Sequence, residues 1–325
     1  MKLNRQLLKY LSDGDYHSGE ELGQQLGVTR SAICKQIKQL SELGISITKK
    51  TNKGYRILHT VELLDAQKIK SYLTPSANQC LTTLELLETV DSTNQYLLDK
   101  ARNNIPSGHV VFAERQTVGR GRQGRYWHSP FGYNLYCSVL WNFQQDPAEI
   151  SSLSLAIGVM VARVLKKYGI EDIKLKWPND VFWQGKKLAG ILPEMLSRSN
   201  DLSRVVIGVG LNIHHPSESN QFIDQPWIDI QTITGKKNNR NQLAGLILNE
   251  LLNSLPHFQQ DGFKSYLNEW QQLDLLKNRE VTIHQHGQLI HAIVQGINLR
   301  GELLLTDKNG CQYQLLHGEI NFNLI

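Results

Sequence analysis

The chain has 325 residues, 40% of them hydrophobic, which is enough for two or three domains with their own cores. No run of about 18 apolar residues occurs, and the N-terminal MKLNRQLLKY lacks the features of a signal peptide, so we expect a cytoplasmic protein without a membrane partner. Residues 1–60 contain ten Lys or Arg and five Asp or Glu, and therefore carry the whole formal excess of +5. An electrostatic partner is expected to bind there.

The first 42 residues have the pattern of a helix-turn-helix. Leucines recur at helical spacing, at Leu3, Leu7, Leu8 and Leu11. Ser18 and Glu21 form a capping box that predicts a second helix, and Thr29 is the candidate N-cap of a third. The apolar residues Ile33, Ile37 and Leu40 share one face of that third helix, which leaves basic and polar residues on the other.

After Gly44 the hydrophobic period changes to alternation, and residues 49–54, KKTNKG, predict the basic tip of a two-stranded wing. The second helix of a helix-turn-helix lies in the major groove, so we expect this segment to bind DNA. The candidate DNA contacts are Thr29, Arg30, Ser31, Lys35, Lys38, Lys50 and Lys53. The alternative is a small helical domain whose charged face meets only water.

From about Asp65 apolar strands alternate with helices, as in a mixed α/β or α+β domain. The clearest helix is Ser151 to Tyr168. The candidate strands are Val110 to Ala113, Asn134 to Leu140, Ile173 to Trp177, Val181 to Trp183, Lys187 to Met195 and Val205 to Ile213. The turn at Gln184 to Lys186 predicts a hairpin, so we expect a mixed or antiparallel sheet.

The polar run DSTN, residues 91–94, stands directly before an apolar helical segment. Its simplest interpretation is a helix N-cap. Hydroxyls and backbone amides at a helix start are also fixed donors that can grip a small polar ligand. The two interpretations are compatible.

The glycine-rich stretch GRGRQGRYWHSPFGYNLY, residues 119–136, satisfies the G-x-G-x-x-G spacing of a dinucleotide-binding turn. That fingerprint opens a helix, whereas here an aromatic run and Pro130 follow, so the Rossmann interpretation fails. The stretch predicts a flexible cationic loop whose arginines suit phosphate or carboxylate. A basic surface loop without a ligand is the alternative.

The segments KWPND, residues 176–180, and KKLAG, residues 186–190, interrupt the apolar pattern. Pro178 predicts a strand end with Asn179 and Asp180 at a turn, where a carboxylate could hold a metal ion associated with phosphates. A bare turn is the alternative. Lys186 and Lys187 point to opposite faces of a strand, and periodicity leaves open which one faces inward.

The C-terminal segment from about Arg279 consists of short alternating stretches separated by Gly287, Gly301 and Gly310, which predicts a small β-barrel. The eleven histidines show no metal-ligand spacing. Four cysteines are scattered without C-x-x-C pairing, which argues against zinc and disulfides and favours structural burial. They are Cys34, Cys80, Cys137 and Cys311.

Together DSTN, GRGRQGRYWHSPFGYNLY, KWPND and KKLAG resemble the biotin-protein ligases, and the winged N-terminus resembles the bifunctional type that is also the biotin operon repressor. The resemblance covers nearly the whole length. It implies an α+β multidomain chain: a winged helix-turn-helix over residues 1–62, a class II synthetase-like mixed sheet with helices over 63–276, and an SH3-like barrel over 277–325.

The resemblance also implies a chemistry. Biotin and MgATP would form biotinyl-5'-adenylate, and biotin would then pass to one lysine of the biotin carboxyl carrier protein of acetyl-CoA carboxylase. Lys187 and Arg122 match the catalytic positions. The implied biotin-binding residues are Ser92, Thr93, Asn94, Gln116, Arg120, Gly121, Arg122 and Lys187, and the implied nucleotide-binding residues are Trp127, Asn179, Asp180 and Asn212.

Regulation is implied in the same way: operator DNA would be bound by a homodimer that ligand promotes. Asp180 is the candidate carboxylate for Mg²⁺. Two alternative functions remain open at this point. One is a lipoate-protein ligase, which shares the adenylate chemistry, and the other is a non-catalytic biotin-sensing repressor.

Overall fold

The computed structural model describes residues 4–57, 61–199, 202–216, 221–285, 288–316, 318 and 320–321; Leu3 and Gly287, named above, lie outside them. The N-terminal unit contains three helices and a hairpin. These are α1 (Arg5–Leu11), α2 (Gly19–Leu26), α3 (Arg30–Glu42), β1 (Ile47–Lys50) and β2 (Gly54–Ile57). The predicted helix-turn-helix and wing are thus both present.

Local capping explains where these helices begin and end. The Ser18 side chain accepts from the backbone amide of Glu21 at 3.0 Å, and Thr29 accepts from that of Ala32 at 3.3 Å. Gly27 ends α2 with φ of +65°, a left-handed conformation that glycine adopts without a steric penalty. The predicted caps at Ser18 and Thr29 are confirmed.

The central unit is a seven-stranded sheet with helices on both faces. Its elements are α4 (Ala66–Lys70), α5 (Pro75–Cys80), β3 (Thr83–Leu87), α6 (Thr93–Ala101), β4 (His109–Ala113), β5 (Leu135–Phe143), α7 (Leu153–Lys167), β6 (Ile173–Lys176), β7 (Asp180–Trp183), β8 (Lys186–Ser199), β9 (Leu202–Leu211), α8 (Ile230–Thr234), α9 (Arg240–Asp261) and α10 (Lys264–Leu273). The strand order is β3-β4-β5-β9-β8-β7-β6. Only β3 and β4 are parallel within this described sheet, so the predicted mixed sheet is confirmed.

Residue alternation on β4 shows how the sheet separates two cores. Val110 and Phe112 point into the large core beneath α7 and α9, whereas Val111 packs under α6 on the other face. The hairpin between β7 and β8 turns at Gln184 and Gly185, as predicted, and both residues have positive φ.

The C-terminal unit is a five-stranded antiparallel sheet in the order β13-β12-β11-β10-β14. Its strands are β10 (Glu280–Gln285), β11 (Gln288–Ile297), β12 (Leu303–Asp307), β13 (Gln312–Leu315) and β14 (Ile320–Asn321). The sheet shares the large core of the central unit, and Trp177 donates its indole N–H to the carbonyl of Gly301 at 2.9 Å. It therefore docks directly against the central unit.

One aromatic side chain joins the N-terminal unit to the central one. Phe131 lies between the glycine-rich loop and β5, yet its fully buried ring belongs to the core formed by α1, α2 and α3. The adjacent Gly132 has φ of +76°, and a Cβ there would lie 2.5 Å from a methyl carbon of Val61. This close approach fixes the segment after the glycine-rich loop against the N-terminal unit.

The expectation of buried cysteines is wrong for two of the four. Cys137 is buried and Cys80 is half-buried, but Cys34 and Cys311 are exposed. Cys34 lies on the outer face of α3, and Cys311 follows the turn at Gly310, so neither position faces a core. All four are free thiols. Among the described helices, none is both long and apolar enough to cross a membrane.

Candidate functional site

A cavity of about 670 Å³ opens between the N-terminus of α6, the loop 119–125 and strands β8 and β9. Eleven of the twelve implied ligand-binding residues line it. They are Ser92, Thr93, Asn94, Gln116, Arg120, Gly121, Arg122, Trp127, Asn179, Asp180 and Lys187. The twelfth, Asn212, lines an adjoining pocket of about 40 Å³ that shares Trp127 and Lys187 with the first.

The start of α6 supplies a buried polar wall. Ser92 caps the helix, as predicted, and the amide and hydroxyl of Thr93 lie 2.9 and 3.1 Å from Oε1 of Gln116. The Ser138 hydroxyl lies 2.7 Å from the Thr93 hydroxyl and 2.6 Å from Oδ1 of Asn94. Because all these side chains are buried and hydrogen-bonded, the wall has one fixed arrangement of donors and acceptors.

A charged pair continues this network across the cavity. Nη2 of Arg120 lies 2.7 Å from both carboxylate oxygens of Glu194, and Nη1 donates to Gln95 at 3.0 Å. Oε2 of Glu194 also accepts from Nδ2 of Asn94 at 2.7 Å. Arg120 is therefore held by residues of α6 and β8.

Sequence reasoning missed two strand residues of the network, Ser138 and Glu194, besides Gln95 on α6. Each of the two strand residues is a polar residue within an otherwise apolar predicted strand, and that interruption was the available signal. The strand pattern alone assigns no partner to either residue. Their partners come from elements remote in sequence, which explains the omission.

Lys187 faces the cavity, whereas Lys186 is exposed, so the choice left open by periodicity falls on Lys187. Its Nζ lies 2.9 Å from Oδ1 of Asp180 and 5.4 Å from the centroid of the Trp127 ring. Asp180 is the first residue of β7 rather than part of the preceding turn, which spans residues 176–179. The prediction that placed Asp180 on the turn is wrong, because this residue pairs with Gly190 in the sheet.

The Trp127 ring packs against the backbone of two glycines in the sheet, Gly190 of β8 and Gly210 of β9. A Cβ on Gly210 would lie 2.6 to 2.8 Å from three atoms of the indole, and a Cβ on Gly190 would lie 3.0 Å from a fourth. Glycine at both positions therefore lets the ring approach the sheet closely. The ring forms one side of the cavity at the junction with the pocket that contains Asn212.

The cavity offers few side chains that could bind a metal ion. No cluster of three or more His, Cys, Asp or Glu suited to a metal occurs in the described part of the chain. Asp180 offers one carboxylate, and its Oδ1 is paired with Lys187. Such a site fits an ion that arrives with phosphate ligands of its own.

The adjoining pocket has an aromatic and imidazole wall. His128 stacks on Phe222 with ring centroids 5.0 Å apart and on His215 at 5.9 Å. Nε2 of His215 lies 2.9 Å from the amide nitrogen of Asn134 and 3.1 Å from Oδ1 of Asn212. Burial, together with a smaller contribution from the neighbouring His128 and His214, lowers the pKa of His215 to about 3.

Because His215 is buried in its neutral form, we predict that the folded protein loses stability as the pH falls. Between the unfolded pKa of about 6.5 and the folded value of about 3, only the unfolded chain binds the proton, so this histidine lowers the free energy of unfolding by about 1.4 kcal/mol per pH unit as pH falls. His215→Gln should flatten that slope, measured by urea denaturation from pH 7 to 4.5. Asp274, whose pKa burial raises to about 6, acts in the opposite direction but is common to both proteins. An unchanged slope in His215→Gln would contradict the assignment.

The N-terminal unit presents a basic surface. All seven candidate DNA contacts are exposed, five at the start and along the outer face of α3 and two in the wing. The bridge between His17 and Tyr55 fixes β2 of the wing against the segment before α2. The structure thus brings the third helix and the wing together on one small unit.

Comparison with known proteins identifies two families in this chain. Residues 86–212 match the biotin/lipoate A/B protein ligase family, and residues 4–56 match an HTH domain. The bifunctional ligase/repressor BirA of Escherichia coli is 39% identical over 97% of this chain and 95% of its own length. The biotin--[acetyl-CoA-carboxylase] ligase of Mycobacterium tuberculosis is 35% identical over 52% of this chain and 62% of its own.

Comparison with a solved structure also indicates a biotin protein ligase. The biotin protein ligase of Aquifex aeolicus, in complex with biotin and ATP, matches with a TM-score of 0.62 and 30% identity, covering 75% of this chain and 99% of that one. The full-length similarity, the HTH domain and the ligase domain agree with the cavity and the winged unit described above. The chain therefore belongs to the bifunctional ligase/repressors of the biotin/lipoate A/B protein ligase family and is a biotin-protein ligase with an HTH repressor domain.

Proposed function

We propose that the cavity activates biotin with ATP as biotinyl-5'-adenylate and then transfers biotin to a lysine of the biotin carboxyl carrier protein of acetyl-CoA carboxylase. The observation that carries the proposal is the pairing of a fixed polar wall with cationic side chains in one cavity. A polar wall suits the ureido group of biotin, and the cations suit carboxylate and phosphate.

Each part of the site then has a role. Ser92, Thr93, Asn94 and Gln116 would hold the biotin head, since they form the wall at the start of α6. Arg120, Gly121 and Arg122 would close over the biotin carboxylate. Trp127, Asn179, Asp180 and Asn212 would bind the nucleotide. Asn179 is itself fixed by donating to the carbonyl of Ile191 at 2.8 Å.

In the first step a biotin carboxylate oxygen attacks the α-phosphorus of ATP, and diphosphate leaves. Negative charge grows on the phosphoryl oxygens, where Lys187 and Arg122 stabilise it as the catalytic residues. In the second step the amine of the carrier lysine attacks the biotinyl carbonyl and AMP leaves. The loop 119–125 excludes water from the mixed anhydride between the two steps.

The residues present fit Mg²⁺ only as a companion of ATP. Asp180 would supply one carboxylate to it, and the phosphates the remaining charge; the ion would neutralise phosphate charge during adenylation. Asp180 is also the carboxylate nearest to Lys187, at 2.9 Å, and is our candidate base for the carrier amine.

Biotin-dependent exchange of pyrophosphate into ATP tests the proposal. We expect exchange with biotin and none with lipoate, and competition between the two acids in one assay separates a biotin ligase from a lipoate ligase. Transfer of labelled biotin to a purified carrier domain separates an enzyme from a non-catalytic sensor. Folded protein that supports neither exchange nor transfer would contradict the proposed activity.

We also propose that the winged unit binds operator DNA of biotin synthesis genes as a homodimer that the adenylate promotes. The support is the exposed basic surface of α3 and the wing together with the HTH match. Sedimentation with and without biotin and ATP tests assembly. A monomer in both conditions would overturn this part.

The wing lysines give a quantitative prediction. Lys50→Ala and Lys53→Ala should each reduce the slope of log affinity against log salt by about 0.9, because each removes one phosphate contact. The measurement is fluorescence anisotropy with a labelled DNA duplex between about 50 and 200 mM salt. Lys9→Ala is the matched control, an exposed lysine on α1 that should leave the slope unchanged.

We propose domain boundaries at 62/63 and 276/277, and we propose that the C-terminal sheet closes into an SH3-like barrel. The two boundaries fall outside the regular elements, between β2 and α4 and between α10 and β10. The five antiparallel strands and the β-bulge between Val294 and Gly296 support the barrel, since bulges bend sheets toward closure.

A further inference from the structure

Glu194 makes contacts that no requirement of the fold explains. Its backbone pairs with Val206 in the regular register of β8 and β9, so the strand needs no particular side chain here. The carboxylate nevertheless contacts two residues that line the ligand cavity, Arg120 and Asn94. Glu194 itself is not among the lining residues.

The carboxylate restricts both of its partners. Nη2 of Arg120 lies 2.7 Å from each oxygen, a charge-assisted geometry that fixes the plane of the guanidinium. Nδ2 of Asn94 donates to Oε2 at 2.7 Å and to the carbonyl of Leu192 at 3.0 Å, and the amide oxygen of Asn94 is directed at Ser138. One acidic side chain therefore orients a cation from the loop 119–125 and contributes to orienting an amide at the start of α6.

We propose that Glu194 is a positioning residue for biotin binding, acting through Arg120 and Asn94; this inference rests on the proposed function of the cavity. Its carboxylate also compensates the charge of Arg120, so that the arginine keeps its orientation before the ligand arrives. Pre-organisation of this kind strengthens ligand binding by reducing the cost of ordering the site.

The expected effect is a change in KM rather than in kcat. In Glu194→Gln the KM for biotin should rise about tenfold, while kcat changes less than about threefold, because the orienting contacts concern ground-state binding. Glu194→Asp keeps the charge on a shorter side chain and should give an intermediate KM. Stability should change little, since the pair is 33% and 27% exposed.

The chain offers a matched control. Arg163 and Glu269 form a second pair at 2.8 Å with nearly the same exposure, 32% and 30%, and neither residue lines the ligand cavity. Glu269→Gln should leave the KM for biotin unchanged. Thermal unfolding of both variants separates an effect on the site from a general loss of stability.

The test is steady-state biotinylation of the carrier domain by the full chain with biotin varied. Glu194→Gln should add less than about threefold to the KM of Arg120→Gln, since coupled residues act non-additively. An unchanged KM in Glu194→Gln, equal effects of Glu194→Gln and Glu269→Gln, or full additivity would overturn the positioning role alone. A wild-type chain without biotin-dependent activity would overturn the proposed function and this inference with it.

Discussion

Replacing Lys187 with alanine is expected to slow biotin adenylation by about 10²- to 10³-fold, the range found when one preorganised charge-stabilising group is removed from an active site. Lys187 is the cavity-facing member of a pair that also contains Asp180, with side chains only 13% and 15% exposed. Its ammonium is thus partly desolvated, which strengthens its interaction with a developing phosphoryl charge. The measurement is single-turnover formation of the adenylate.

Lys186→Ala is the matched control, because Lys186 is the adjacent lysine of β8 and is exposed. It should retain the wild-type rate within about twofold, because substitutions of exposed residues outside the cavity have little effect on stability or on the site. Thermal unfolding must accompany both variants, since removal of Lys187 leaves the Asp180 carboxylate without its cation. Equal rates for the two variants, or a loss of rate in Lys187→Ala that parallels global unfolding, would argue against a catalytic role.

Gly210→Ala is expected to raise the KM for ATP by about tenfold or more. The added methyl would lie 2.6 to 2.8 Å from three atoms of the Trp127 indole, so the ring must move away from the sheet. The backbone φ of Gly210 is not in the left-handed region, and the effect is therefore a contact effect rather than backbone strain. Since the ring borders the cavity, its displacement occupies space proposed for the nucleotide.

A second substitution tests this explanation. The smaller ring of Trp127→Phe lacks the indole atoms nearest to the new methyl, so Gly210→Ala combined with Trp127→Phe should bind ATP better than Gly210→Ala with Trp127 intact. Steady-state kinetics of the two single variants and the double variant measure the coupling. Simple additivity would show that the alanine acts by another route.

The sequence was informative where the decisive interactions are local. The capping residues Ser18 and Thr29 contact amides three positions away, and the hairpin at Gln184 and Gly185 is encoded in adjacent residues. DSTN, KWPND and KKLAG interrupt the apolar pattern, and the glycine-rich stretch is identified as a cationic loop by its glycines and arginines. The structure brings their residues to one cavity, although the roles assigned to them remain predictions.

Elements whose pattern is ambiguous were missed. Strand β3 reads TLELL, is half-buried throughout and lies at the sheet edge, so it shows no alternation. The helices α8, α9 and α10 were not predicted either. Helix α9 contains Pro256 and is buried on several sides, which removes the single apolar stripe typical of a surface helix.

Contacts between segments that are distant in sequence could not be predicted for a different reason. Glu194 and Arg120 are 74 residues apart, and their pairing depends on how the loop folds over the sheet. The ring of Phe131 is another such case, since it leaves its own unit to enter the core of the helix-turn-helix. Hydrophobicity predicts that such a residue is buried, but not in which core.

The placement of Phe131 has a consequence for dissecting the molecule. Cutting the chain at 62/63 would remove α1, α2 and α3 and leave this phenyl ring in water, four residues from Trp127 in the proposed nucleotide site. The truncated ligase would lose an anchor of its own catalytic loop along with its DNA-binding surface. The N-terminal unit thus supports the structure of the ligase unit in addition to carrying the proposed DNA-binding surface.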